Sequence, residues 1–109
     1  MSETTKATIK PGDIWRSVWG HEQTNVDFYE VTRATETTVT LARLEQFRLD
    51  DGRMGGRTKP IAGRRAGERP IRRKLRWYEG EPFVMLESYS MAPTARPYDG
   101  TVMRYTTYA

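Results

Sequence analysis

"GDIWRSVWGHEQTNVDFYEVTRATETTVTL", Gly12–Leu41, decides the fold. Its first part, DIWRSVW (Asp13–Trp19), alternates Ile14, Arg16 and Val18 with Trp15, Ser17 and Trp19, the period of a β-strand with two distinct faces. VDFYEVTRA (Val26–Ala34) carries two aromatics and two valines and reads as a second strand. ETTVTLARLEQF (Glu36–Phe47) reads as a third, with Val39 and Leu41 alternating with Thr38 and Thr40. The link Ala34–Thr37 is short enough for a hairpin.

Outward from this core the chain keeps to β signals. IRRKLRWYEGEPFVMLESYS (Ile71–Ser90) predicts one strand, a Glu79-Gly80 turn and a second strand. PYDGTVMRYTTYA (Pro97–Ala109) predicts a turn at Asp99-Gly100 and a closing strand. Met1–Thr8 is polar and aperiodic, and is expected to be a disordered terminus. Arg48–Pro70 holds five Gly and two Pro, and is expected to be a long, flexible basic loop with a turn at Asp51-Gly52. With no helical periodicity, the expectation is an all-β domain over 9–109. Its form would be a small SH3-like barrel or roll of about six antiparallel strands, closed enough to leave few open edges.

Composition bounds the function. At 109 residues the chain has the size of one domain, and three Trp, six Tyr and three Phe supply apolar anchors despite a mean hydropathy of −0.77. It encodes no long apolar run and no leader pattern, so the expected location is the cytoplasm of the host cell, with no membrane partner. Without cysteine, and with His21 as its one histidine, it has neither thiolate nor multi-histidine metal chemistry. No cofactor is expected. Arg48–Arg76 holds eleven basic residues against three acidic ones, whereas the rest of the chain is net acidic. So concentrated a positive field attracts phosphate or an acidic protein surface.

The basic strand is the clearest functional signal. In Ile71–Trp77, Arg72, Lys74 and Arg76 would share one face about 7 Å apart, with Ile71, Arg73, Leu75 and Trp77 on the other. That spacing suits a phosphate backbone, and Trp77 and Tyr78, with Tyr89 and Tyr98, could stack bases. Lys and Arg on an exposed strand also serve solubility and discourage edge pairing. Arg64, Arg65 and Arg69 extend the charge into the basic segment, which lacks the G-x-x-x-x-G-K-S/T pattern of a nucleotide-hydrolysing loop and suits an arm that orders on nucleic acid or an acidic protein.

WGHEQTNVDFYE (Trp19–Glu30) supports two readings. As an enzyme site it offers His21 as base, Glu22 or Asp27 as acid and Gln23 or Asn25 as oxyanion donor, without a nucleophile elbow. As a structural corner, Gly20 frees the backbone, and Gln23, Thr24 and Asn25 satisfy loop amides. Phe28 or Tyr29 then packs under Trp15 and Trp19, beside Asp27.

These stretches, with GERPIRRK (Gly67–Lys74) and PYDG (Pro97–Gly100), resemble a family of small phage- and plasmid-borne proteins. Its members carry W-G-x-x-Q-T-N-x-D-F-Y near the start, G-x-P-I-R-R-K in the middle and a W/Y-D-G turn near the end. Here Glu68-Arg69 stands between Gly67 and Pro70, and Tyr98 stands where Trp is frequent. The resemblance implies a mobile-element origin, with host takeover, DNA handling or evasion of defence as roles; it supplies no catalytic residue to carry over. Three functions are therefore expected in turn. The first is a non-enzymatic module binding nucleic acid, the second an anti-CRISPR-like inhibitor of a nucleic-acid-binding host protein complex, and the third a small enzyme centred on His21.

Overall fold

The computed structural model describes residues 9–20, 24–53, 55–87, 92–100 and 103–106. Nine strands follow one another: β1 (Ile14–Trp19), β2 (Asn25–Ala34), β3 (Thr38–Arg53), β4 (Gly55–Arg65), β5 (Ile71–Lys74), β6 (Arg76–Tyr78), β7 (Glu81–Met85), β8 (Thr94–Pro97) and β9 (Met103–Thr106). Every pairing is antiparallel, in the order β6-β7-β8-β1-β2-β3-β4-β9, with β5 lying beside β3. The result is an all-β, curled half-barrel sheet. No helix occurs among the described residues, and so none long and apolar enough to cross a membrane. Met1–Thr8 and the His21–Gln23 corner lie outside the described residues.

The alternation read from the sequence sets the two faces. Trp15 pairs with Tyr29 and Ile14 with Glu30, so odd positions of β1 and β2 share the inner face and even positions the outer. Inside, Trp15, Val31, Val39, Leu41, Leu75, Val84, Leu86 and Ala95 form the main core, drawn from β1, β2, β3, β7, β8 and the 71–78 segment. Outside, a second cluster of Val26, Phe28, Leu44 and Tyr105 is packed by Ile14, Tyr98 and Met103. Of the two aromatics expected beneath Trp15 and Trp19, Phe28 is not the one that packs there. It sits on the opposite face, edge-on to Tyr98 with ring centroids 5.1 Å apart, and Tyr29 is the one that packs against the Trp15 core.

A bulge in β2 then reverses the parity. Val31 faces Leu41, but the next pair is Arg33 with Thr40, leaving Thr32 as the extra residue. Beyond it, Arg33 falls on the outer face and Ala34 on the inner one, packed against the core.

The expected loop over Arg48–Pro70 is corrected. β3 runs on to Arg53 through Asp51-Gly52, and β4 returns along it, pairing Phe47 with Lys59, Leu49 with Arg57 and Asp50 with Gly56. This hairpin raises the strand count above the six expected. Gly56 is needed for close approach: an added Cβ would strike the Leu49 carbonyl oxygen and come within 3.0 Å of the Tyr105 hydroxyl. Pro60 is accommodated next to a register shift, where Ile61–Arg64 stand opposite Glu45 alone.

The expected strand Ile71–Trp77 is also interrupted. Leu75 separates β5 from β6, buries its side chain in the core and donates its amide to the Thr37 carbonyl at 2.8 Å. The first half of this segment pairs with β3 and the second half with β7, so the chain bridges two strands at Leu75. Glu79 and Gly80 close the β6–β7 hairpin with φ of 51° and 82°, the paired positive angles that suit a two-residue turn between right-twisted strands.

Candidate nucleic-acid interface

The outer face has a bare half. Thr40 of β3 pairs with Arg33 on one side and with Arg72 on the other, so the three side chains form one row across β2, β3 and β5. One residue along, Thr38 pairs with Lys74. Arg33, Arg72 and Lys74 are exposed, and no ion pair engages them among the described residues. A small cleft of about 110 Å³ lies between Arg33, Thr35, Thr38, Thr40 and Arg72. Thr35 has a turn-building role here: its hydroxyl lies 2.8 Å from that of Thr38 and accepts the Thr38 amide at 3.0 Å.

Not every residue proposed from sequence joins this face. Arg72 and Lys74 do, and Arg76 continues the exposed alternation past Leu75. Trp77 and Tyr78 are exposed, but as neighbours on β6 they point to opposite sides of the ribbon and make no common stacking platform. Arg64 reaches Glu45 at 3.5 Å and Arg65 reaches Glu30 at 3.6 Å, so both are held by acids of the body. Arg69 lines the mouth of the inner cavity instead. Arg33 was missed by sequence reasoning; its outward direction depends on the bulge at Thr32.

The inner face ends in a cavity of about 350 Å³, whose walls include Trp19, Asp27, Tyr29, Arg43, Glu68 and Arg73. Here the WGHEQTNVDFYE corner contributes directly. Trp19 Nε1 donates to Asp27 Oδ2 at 2.8 Å, Arg43 Nη2 donates to Asp27 Oδ1 at 2.8 Å, and Arg43 Nη1 donates to Glu68 Oε2 at 3.1 Å. Arg73 turns inward and donates from Nε and Nη2 to the Leu86 carbonyl at 3.2 and 3.0 Å. Burial, with the Asp27 charge next in weight, holds the Tyr29 hydroxyl above its ordinary pKa. The charges of this cavity are thus largely answered by the protein itself. Arg43 was not singled out from sequence, although a cation in an inward position beyond Val39 and Leu41 calls for an acid, and Asp27 stands at the next inward position of β2 from Tyr29, the register partner of Arg43.

Within the motif, Gly20 takes φ of 129° as β1 ends, and Asn25 opens β2 opposite Trp19, with Thr24 preceding it. Gln23, with the catalytic candidates His21 and Glu22, lies outside the described residues. No protein-family model, curated protein or solved structure matches the chain.

Proposed function

We propose that this chain is a small, non-enzymatic module that binds nucleic acid through the outer face of β2, β3, β5 and β6. The observation that carries the reading is the Arg33–Thr40–Arg72 row with Lys74 beside it, cations that no acid of the described protein neutralises. A solvated strand that carries charge only for solubility has no need to align guanidinium groups across three strands. A sugar-phosphate backbone laid along the row would gain from each contact by releasing condensed counterions. The 71–78 segment, paired with β3 at one end and β7 at the other, supports reading the sheet as a small SH3-like roll. Resemblance to phage- and plasmid-borne proteins supports a mobile-element origin and action inside the host cell.

Fluorescence-anisotropy titration of single-stranded and duplex oligonucleotides at about 50 and 200 mM salt tests this reading. Binding should weaken steeply with salt and be lost in Arg72→Ala/Lys74→Ala/Arg76→Ala.

A second reading, an anti-CRISPR-like inhibitor that captures a nucleic-acid-binding host complex, is favoured by one observation. Phe47 and Leu49 stand about half exposed on the β3–β4 hairpin, flanked by Arg57 and Lys59, which is the chemistry of a protein-docking surface. Phe47→Ser would weaken capture of a protein target and leave oligonucleotide binding unchanged.

A further inference from the structure

We infer that the cleft between Arg33 and Arg72 is a seat for a single phosphate group, held between the two guanidinium groups over Thr40. This deepens the nucleic-acid reading and rests on it only where the ligand is an oligonucleotide; inorganic phosphate tests the seat alone.

The argument begins with the bulge. Had β2 kept the alternation of Asp27, Tyr29 and Val31, position 33 would face the core. The extra residue Thr32 turns Arg33 outward, into the same cross-strand row as Thr40 and Arg72. Two strand spacings separate the arginine backbones by about 10 Å, a gap their long side chains can close from either side of Thr40. Two cations brought onto one row repel each other, and neither has a hydrogen-bond or ion-pair partner for its guanidinium among the described residues. The Thr40 hydroxyl between them also has no partner there, because the bond at this position runs from Thr32 Oγ1 to the Thr40 carbonyl at 3.4 Å.

An oxyanion answers all three groups. Guanidinium forks match phosphate oxygens in pairs, and a threonine hydroxyl donates to a third oxygen. The cleft of about 110 Å³ has room for one such group with its waters. The Thr35–Thr38 turn closes one end, where Thr35 Oγ1 also accepts the Thr37 amide at 3.3 Å, so the wall is prebuilt. Glu36, three residues from Arg33, lies in the same turn but does not line the cleft.

Two sources share this chemistry: a phosphodiester inside a strand and a terminal phosphomonoester. NMR of the arginine Nε–H groups, titrated with inorganic phosphate and with chloride at constant ionic strength, reads the seat directly. The Arg33 and Arg72 signals should shift saturably with phosphate and hardly with chloride, and each should be lost as a phosphate responder when the other is changed to Gln. Equal responses to both anions would overturn the seat. Folding of Arg33→Gln and Arg72→Gln is checked by thermal melts, with Arg57→Gln as a charge-matched control on the β3–β4 hairpin.

Oligonucleotides with and without a 5′-phosphate supply the second arm. If both arginines hold one phosphate, Arg33→Gln/Arg72→Gln lowers the slope of log K against log salt by about 1, as expected for one lost phosphate contact. A loss of about 2 would mean two separate contacts and would contradict a shared seat. Stronger binding of the 5′-phosphorylated strand, abolished by Arg33→Gln, assigns the seat to the monoester; equal binding of both strands, each weakened by Arg33→Gln, assigns it to the backbone. Phosphate binding without oligonucleotide binding retains the seat and removes the nucleic-acid reading. Oligonucleotide binding indifferent to Arg33→Gln does the reverse.

Discussion

Arg43 and Arg33 stand on opposite faces of the same β2–β3 ribbon and meet opposite surroundings. Arg43 bonds Asp27 at 2.8 Å and Glu68 at 3.1 Å at the mouth of the inner cavity. Arg33 shares the outer row with Arg72 and meets no acid among the described residues. A charge that serves the fold brings its counter-ion with it, because burial makes an unpaired ion expensive. A charge left unanswered beside another of the same sign costs the fold a little and gains only when an anion arrives. The difference separates a structural corner, built from Trp19, Asp27 and Arg43, from the proposed binding face of Arg33, Thr40, Arg72 and Lys74.

The sharpest way to break the inner side is through its core. Trp15 is 1% exposed, and Trp15→Ala should cost about 3–5 kcal/mol in chemical denaturation. Trp19, at 43% exposed, should cost clearly less when replaced by Ala, chiefly through its bond to Asp27. Asp27→Ala strands the indole N–H and leaves Arg43 with Glu68 alone, and should destabilise by roughly 1–3 kcal/mol, reduced where water reaches Arg43. A change of only a few tenths would mean that Arg43 is as loosely held as Arg33.

On the outer side the expectation inverts. Arg33→Gln and Arg72→Gln should leave stability within about 0.5 kcal/mol of the parent while lowering oligonucleotide affinity. A large loss of stability would show that these arginines serve the fold after all.

The smallest effect concerns pH. Burial raises the Tyr29 pKa above its ordinary value of 10.0, so the unfolded chain gives up this proton first as pH rises. Its contribution to stability is complete below pH 10 and is lost as pH climbs from there through the higher folded value. Tyr29→Phe should flatten that alkaline decline in melts taken above pH 10. An unchanged slope would mean the hydroxyl is as solvated folded as unfolded.

How far the sequence spoke depended on whether side chains alternated in polarity. Trp15 against Arg16, and Val39 and Leu41 against Thr38 and Thr40, marked β1 and β3 and their inner faces. Glu79-Gly80 marked a turn because only a few residue pairs accept two positive φ angles in succession. β4 was hidden because eight of the eleven residues in Gly55–Arg65 are glycine, arginine, lysine or proline, a mixture that reads as a loop. It is held as a strand by β3 on one edge and β9 on the other, a tertiary cause with no local trace. Arg72 and Lys74 were legible as a period-2 pair. Arg33 was not, because a one-residue bulge changes which face an alternating strand presents and leaves no mark in VTRA. The Asp27–Arg43 pair was within reach, since the two charges of opposite sign stand on the same inward parity as Tyr29, Val31, Val39 and Leu41.

The most direct test of the central claim is the anisotropy titration at about 50 and 200 mM salt, run on the parent and on Arg72→Ala/Lys74→Ala/Arg76→Ala with melts of both. The account predicts micromolar or tighter binding that weakens steeply with salt in the parent, and loss of that binding in an equally stable variant. Binding that is absent from the parent, or unchanged in the variant, would contradict it.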